Sequence, residues 1–197
     1  HTAHKDTYIR DNMPPESLWP EMDYGTLPEL AAYPARMNVA AELLDKAVAD
    51  GRGGRPYIYF GEKIWSYSET LSQANRLAHV LVDDYGLVPG ERVLLRSGNH
   101  PMLIIAWFAI LKAGGIAIAT MPVLRERELV YMIGKARIQL AICDNKLSED
   151  IEKAKKNTSD LRRILYFGMD NLDSLEARME GKSADFKTVD TAADDPA

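Results

Sequence analysis

Between Met102 and Ala113 the sequence MLIIAWFAILKA is apolar on nearly every side, and its one charge, Lys112, falls in the last turn. A helix without a polar face must be covered on both sides. That demand governs what the chain can become. The flanks say what does the covering. Glu91 to Ser97 holds the β-favouring run Val93-Leu94-Leu95, and Gly98-Asn99 signals a turn. Pro101 suits the first helical turn, with Asn99 or His100 as cap. Gly114-Gly115 supplies the positive φ that ends a helix, and Gly115 to Met121 is again short and apolar before Pro122 stops it. Strands apolar on both faces belong in buried parallel sheets, and two of them joined through a helix make a right-handed crossover. Glu91 to Pro122 therefore reads as the β-α-β centre of a layered α/β domain.

The remaining segments supply the cover. His1 to Met37 carries Pro14, Pro15, Pro20, Pro28 and Pro34 with Trp19, Tyr24 and Tyr33 between them. Prolines at this spacing forbid long helices, and the aromatics suggest an arm lying on the domain, residues 1–37. Asn38 caps a helix from Val39 to Asp50, ended by Gly51, with Val39, Leu43, Leu44, Ala47 and Val48 on one face. Pro56 to Phe60 and Lys63 to Tyr67 flank Gly61-Glu62 as a hairpin. Ser66 to Glu69 has the capping-box pattern, and Leu71, Ala74, Ala78, Leu81 and Tyr85 form a core stripe on the helix that follows. Strands are expected at 92–97, 115–120, 138–143 and 163–167, with helices between them at Leu129–Ile133 and Glu149–Asn157 and after them at Leu172–Met179. The expected fold is a three-layer Rossmann-like parallel sheet with helices on both faces over residues 38–180. A proline-rich arm and a small hairpin precede it, and a polar tail, 181–197, follows.

The net charge of −5 gives no electrostatic case for nucleic acid or an anionic membrane. The single cysteine, Cys143, excludes an internal disulfide and fits a reducing compartment, so a cytoplasmic protein is expected. There is no charged start followed by an apolar run and cleavage site, and the missing first Met suggests trimming. The longest apolar run, Met102 to Leu111, falls well short of the ~20 residues that span a bilayer.

Residues that carry chemistry are sparse. No GxGxxG or GxxxxGK[ST] appears, and Gly51-Arg52-Gly53-Gly54 lies between helix and hairpin, the wrong place for a phosphate cradle. The histidines, His1, His4, His79 and His100, show no metal-ligand spacing. His100 falls at a strand's carboxyl end, where α/β domains bind ligands, and reads first as a helix cap. Cys143 reads as a small buried hydrophobe. Arg125 and Arg127 fall just past the carboxyl end of a strand; they read as a solvated helix start or as a ligand contact.

The ordered set of Lys63-Ile64-Trp65-Ser66-Tyr67-Ser68-Glu69, Gln73-Ala74-Asn75-Arg76-Leu77-Ala78, Gly86-Leu87-Val88-Pro89-Gly90-Glu91-Arg92-Val93, Leu111-Lys112-Ala113-Gly114-Gly115 and Met121-Pro122 resembles the N-terminal portion of the adenylate-forming superfamily. That superfamily includes acyl- and aryl-CoA synthetases. Within it the closer resemblance is to benzoate– and 2-aminobenzoate–CoA ligases, and the leader from His4 to Pro15 and the segment Val93 to Asn99 look most like the aminobenzoate enzymes. The resemblance covers roughly residues 35 to 168. It implies a parent enzyme that turns a carboxylate and ATP into an acyl-adenylate and then a coenzyme A thioester, with magnesium offsetting phosphate charge.

The departures define what this chain alone is expected to do. The Ser/Thr/Gly-rich phosphate loop, the acyl-binding segments and the C-terminal domain with its lysine are absent from residues 1–197. The chain is therefore expected to be a fragment: inactive by itself, holding no catalytic or metal residue, and prone to self-association through an open sheet edge and a poorly covered apolar helix. Some relatives touch the coenzyme A nucleotide with an arginine directly after the proline; here that position is Val123, and Arg125 or Arg127 would substitute. A stand-alone non-catalytic module and an adenylating enzyme with a non-CoA acceptor are the alternatives.

Overall fold

The computed structural model describes residues 2–21 and 26–197; Tyr24, counted above among the arm's aromatics, lies outside them. The arm carries two single-turn helices, α1 (Tyr8–Asp11) and α2 (Pro28–Ala31). Its first residues lie on the domain: the Lys5 and Asp6 N–H groups both donate to the Pro89 carbonyl, and Asp6 pairs with Arg92 at 2.7 Å. Gly90 makes that approach possible, because a Cβ there would stand 2.2 Å from the Asp6 carbonyl oxygen. Trp19 and Tyr33 do not anchor the arm; they are 49% and 59% exposed.

Asn38 caps the next helix through Oδ1, which accepts the Ala40 N–H at 3.0 Å. The turns of this helix show π-type hydrogen bonding over Ala41–Asp45 and Val48–Arg52, and Gly51, at φ 80°, ends its helical path as expected. Ala40, Leu44 and Ala47 are buried, whereas Leu43, expected on that face, points outward at 53% exposure. Strands β1 (Pro56–Phe60) and β2 (Lys63–Ser66) pair antiparallel as the expected hairpin. Ser66 and Glu69 complete the capping box of α3 (Tyr67–His79).

The central sheet holds β3 (Arg92–Arg96), β4 (Ile116–Thr120), β5 (Leu140–Asp144) and β6 (Arg163–Phe167). All pairs are parallel, in the order β4-β3-β5-β6. Between them run α4 (Pro101–Lys112), α5 (Glu126–Ala136) and α6 (Ser148–Lys156), and α7 (Leu175–Met179) follows. Alternation along the strands divides the core. Val93, Leu95, Ile142 and Phe167 face α3, α4 and α7, while Leu94, Ala141 and Cys143 face α5 and α6. This is the expected three-layer architecture.

Two expectations fail. Strand β4 is at the sheet edge rather than buried on both sides, and Ala119 is exposed. Helix α4 is fully covered, since none of its residues is exposed. Its outer face meets Ala40, Leu44 and Ala74 around Phe108 and Leu111, so the 39–52 helix and α3 provide the cover its sequence demands, and only the poor cover expected of the isolated fragment is not seen.

Candidate functional site

The carboxyl ends of β3 and β4 place the candidate residues. Chain leaving β4 turns through Met121-Pro122-Val123-Leu124 into α5, where Arg125 takes the N-cap position and its N–H donates to Glu128 Oε2 at 3.0 Å. What holds this turn is Arg96, the last residue of β3, only 1% exposed. Its guanidinium donates to the carbonyls of Met121, Pro122, Leu124 and Leu147, the shortest at 2.9 Å. A planar fork with five donors can satisfy converging carbonyls in this way. Arg96 also faces Asp150 of α6 at 3.9 Å, and Arg125 reaches the same carboxylate at 3.2 Å. Burial works to raise the Asp150 carboxyl, but the Arg125 guanidinium, the Glu126 N–H and Arg96 outweigh it and hold the group below the usual carboxylate range.

Arg125 is nevertheless 79% exposed at its side chain, so one face of the guanidinium remains open to solvent. Arg127 is exposed one helical step on, over a shallow hollow of about 640 Å³ shared with Leu124, Glu128, Tyr131 and Met132. Val123 is 72% exposed and brings no charge. The loop therefore presents two cations on a rigidly held turn. That arrangement can bind a phosphate group and has no nucleophile–base pair with which to transform one.

His100 caps α4: its Nδ1 accepts the Met102 N–H at 3.1 Å, while its ring packs against Phe60 and Phe167. A ring nitrogen that accepts from backbone carries no proton, which fits a structural cap. Cys143 is buried, and burial pushes its thiol up to about 12, far from a reactive thiolate. His79 bridges Asp83 and the Asp185 carbonyl. Among the described residues no three His, Cys, Asp or Glu side chains converge as metal ligands. No helix among them is long and apolar enough to cross a membrane. A second cavity of about 640 Å³ opens at the amino end of the sheet, remote from Arg125.

Sequence reasoning missed Arg96. The signal was present in part, as a charged residue closing an apolar run on a central strand.

The family described as AMP-binding enzyme matches residues 45–197. Benzoate–CoA ligase of Thauera aromatica is 25% identical over 173 residues, which is 88% of this chain and 33% of that protein. A solved anthranilate CoA ligase in complex with anthranoyl-AMP superposes with a TM-score of 0.77 at 19% identity, over 84% of this chain and 31% of its own. ATP-bound MatB from Rhodopseudomonas palustris gives a TM-score of 0.69 at 28% identity, over 80% and 30%. The chain thus spans about a third of the length of the curated relatives it matches.

Proposed function

The chain belongs to the AMP-binding enzyme family, and from that membership we propose that it is the N-terminal part of an ATP-dependent carboxylate–CoA ligase acting on an aromatic acid of the benzoate or 2-aminobenzoate class. The observation that carries this reading is the match to benzoate–CoA ligase along 88% of the chain. Residues 38–180 are its N-terminal subdomain, and residues 181–197 lead toward the phosphate-loop region. ATP, magnesium and coenzyme A belong to the complete ligase. Within this chain Arg125 and Arg127 suit the coenzyme A nucleotide, as contacts to its phosphates at the open face of the Arg96-held loop. The ligase works in the cytoplasm, and the exposed β4 edge is where the isolated chain self-associates, which sedimentation at rising concentration checks.

Two measurements test this. The 197-residue chain, incubated with ATP, magnesium and a panel of benzoates, releases no pyrophosphate above a no-protein control, because it holds no preorganised donors for a transferred phosphoryl group. Carboxylate-dependent release would overturn the fragment reading. In the complete ligase, Arg125→Ala raises the apparent KM for coenzyme A several-fold and leaves adenylation, followed by pyrophosphate exchange, unchanged. An unaltered KM removes Arg125 from the site. A coding sequence that stops after Ala197 would instead favour a non-catalytic module.

A further inference from the structure

At the end of the sheet opposite the Arg125 loop, the first residues of β3, β5 and β6 frame the second cavity of about 640 Å³. Its charged lining is four arginines, Arg92, Arg137, Arg162 and Arg163, against the single acid Glu91, in a chain whose net charge is −5. These charges are not equally occupied. Arg92 is buried and spends its guanidinium on the Gly90, Ala136 and Arg137 carbonyls and on Asp6. Glu91 accepts the Val88 N–H at 2.9 Å. Arg162 and Arg163 are exposed, and their side chains have no partner among the described residues. Arg137 only stacks on the Tyr8 ring, at 4.8 Å.

The backbone of Arg137 closes α5. Among the described residues it is the one non-glycine with a positive φ, 48°. Glycine or asparagine takes this conformation at less cost. Arg137 holds it as the αL cap that ends α5, its N–H meeting the Gly134 and Ile133 carbonyls, and this fixes where its side chain leaves the backbone. The floor beside the arginines is apolar, formed by buried Leu87 and Leu140 with Tyr85 at the rim. The volume lies within the range of ligand pockets, about 300–1,000 Å³.

We infer that this cleft binds a small organic anion carrying two or more phosphate or carboxylate charges, held by Arg137, Arg162 and Arg163 above the Leu87–Leu140 floor. The inference is independent of the ligase reading, since it uses none of the residues placed at the carboxyl end. Calorimetric titration of the 197-residue chain with pyrophosphate and, separately, citrate tests it, with sodium chloride at matched ionic strength as the control. At least one of the two anions binds saturably to one site, and the two arms tell phosphate from carboxylate recognition. Arg162→Gln and Arg163→Gln each weaken that binding about ten-fold, the usual consequence of losing a charge-assisted hydrogen bond, while Arg125→Ala leaves it unchanged. Arg137→Gly separates binding from structure: the melting temperature holds or rises as the strained residue is relieved, and affinity falls. Absence of saturable binding by both anions, or equal weakening by Arg125→Ala, overturns the site. A parallel fall of melting temperature and affinity in Arg137→Gly assigns that residue to structure and overturns the three-arginine arrangement.

Discussion

Arg96 sits at 1% exposure with a permanent charge, and five oxygens from two loops and α6 converge on it. Removing it leaves those carbonyls facing a void and Asp150 with one cation fewer. Arg96→Met is expected to lower the unfolding free energy by about 3 kcal/mol in urea titrations. Arg96→Lys recovers little, because an ammonium cannot reproduce the planar fork. The segment RVLLR showed a strand and hid this role. An arginine closing an apolar run reads as the residue where a strand emerges into water, and only the neighbouring loops, distant in sequence, show that it does not emerge. The same limit applied to Arg125. Its position beyond a strand was legible, but its pairing with Asp150 depends on how α6 packs beside α5.

At the level of elements, the apolar pattern carried most of the fold. Strands β3 and β5 and helix α4 were legible because burial on two faces leaves no room for polar residues. Edge status was not legible, since Ile116 to Thr120 is as apolar as a central strand and only the order β4-β3-β5-β6 puts it outside. The widened turns of residues 39–52 were also hidden, and with them the outward turn of Leu43. Asp45 of this helix pairs in the last turn of α4 with Lys112, whose side chain is fully buried. Burial pushes the Lys112 ammonium below the usual lysine range even though Asp45 opposes the shift. Asp45→Ala therefore strands a buried charge and is expected to cost about 3 kcal/mol in chemical unfolding, whereas the double variant Asp45→Leu with Lys112→Met costs far less or nothing. Equal losses in the two variants would show that the pair has net value.

Across the whole molecule, the two ends of the chain hold each other. The Asp195 carboxylate accepts from Thr2, from the Ala3 and Ala192 N–H groups and from Arg10, which it meets at 2.7 Å. Arg36 pairs with Asp190, and Arg36 and Ala192 form a β-bridge. Burial works to raise the Asp195 carboxyl, and the four donors outweigh it and hold it well below the carboxylate range. A carboxyl depressed in the folded state contributes stability above its unfolded pKa, about 3.9, and loses it as pH falls further. Thermal unfolding is thus expected to show an acid-side loss below about pH 4 that Asp195→Asn flattens. An unchanged acid limb would mean that the arm is held by the Asp6–Arg92 pair instead. The polar composition of the tail gave no hint of this clasp, because a carboxylate that organises two chain ends looks in sequence like one that is solvated. Thr2 and Asp195 stand 193 residues apart, so the arm is made well before the carboxylate that holds it. Until Asp195 is available, residues 2–10 rest on Pro89, Arg92, the Lys135 carbonyl and Arg137. Their final seating is a late event, reached after the sheet has assembled, and it follows the chain's own order of manufacture.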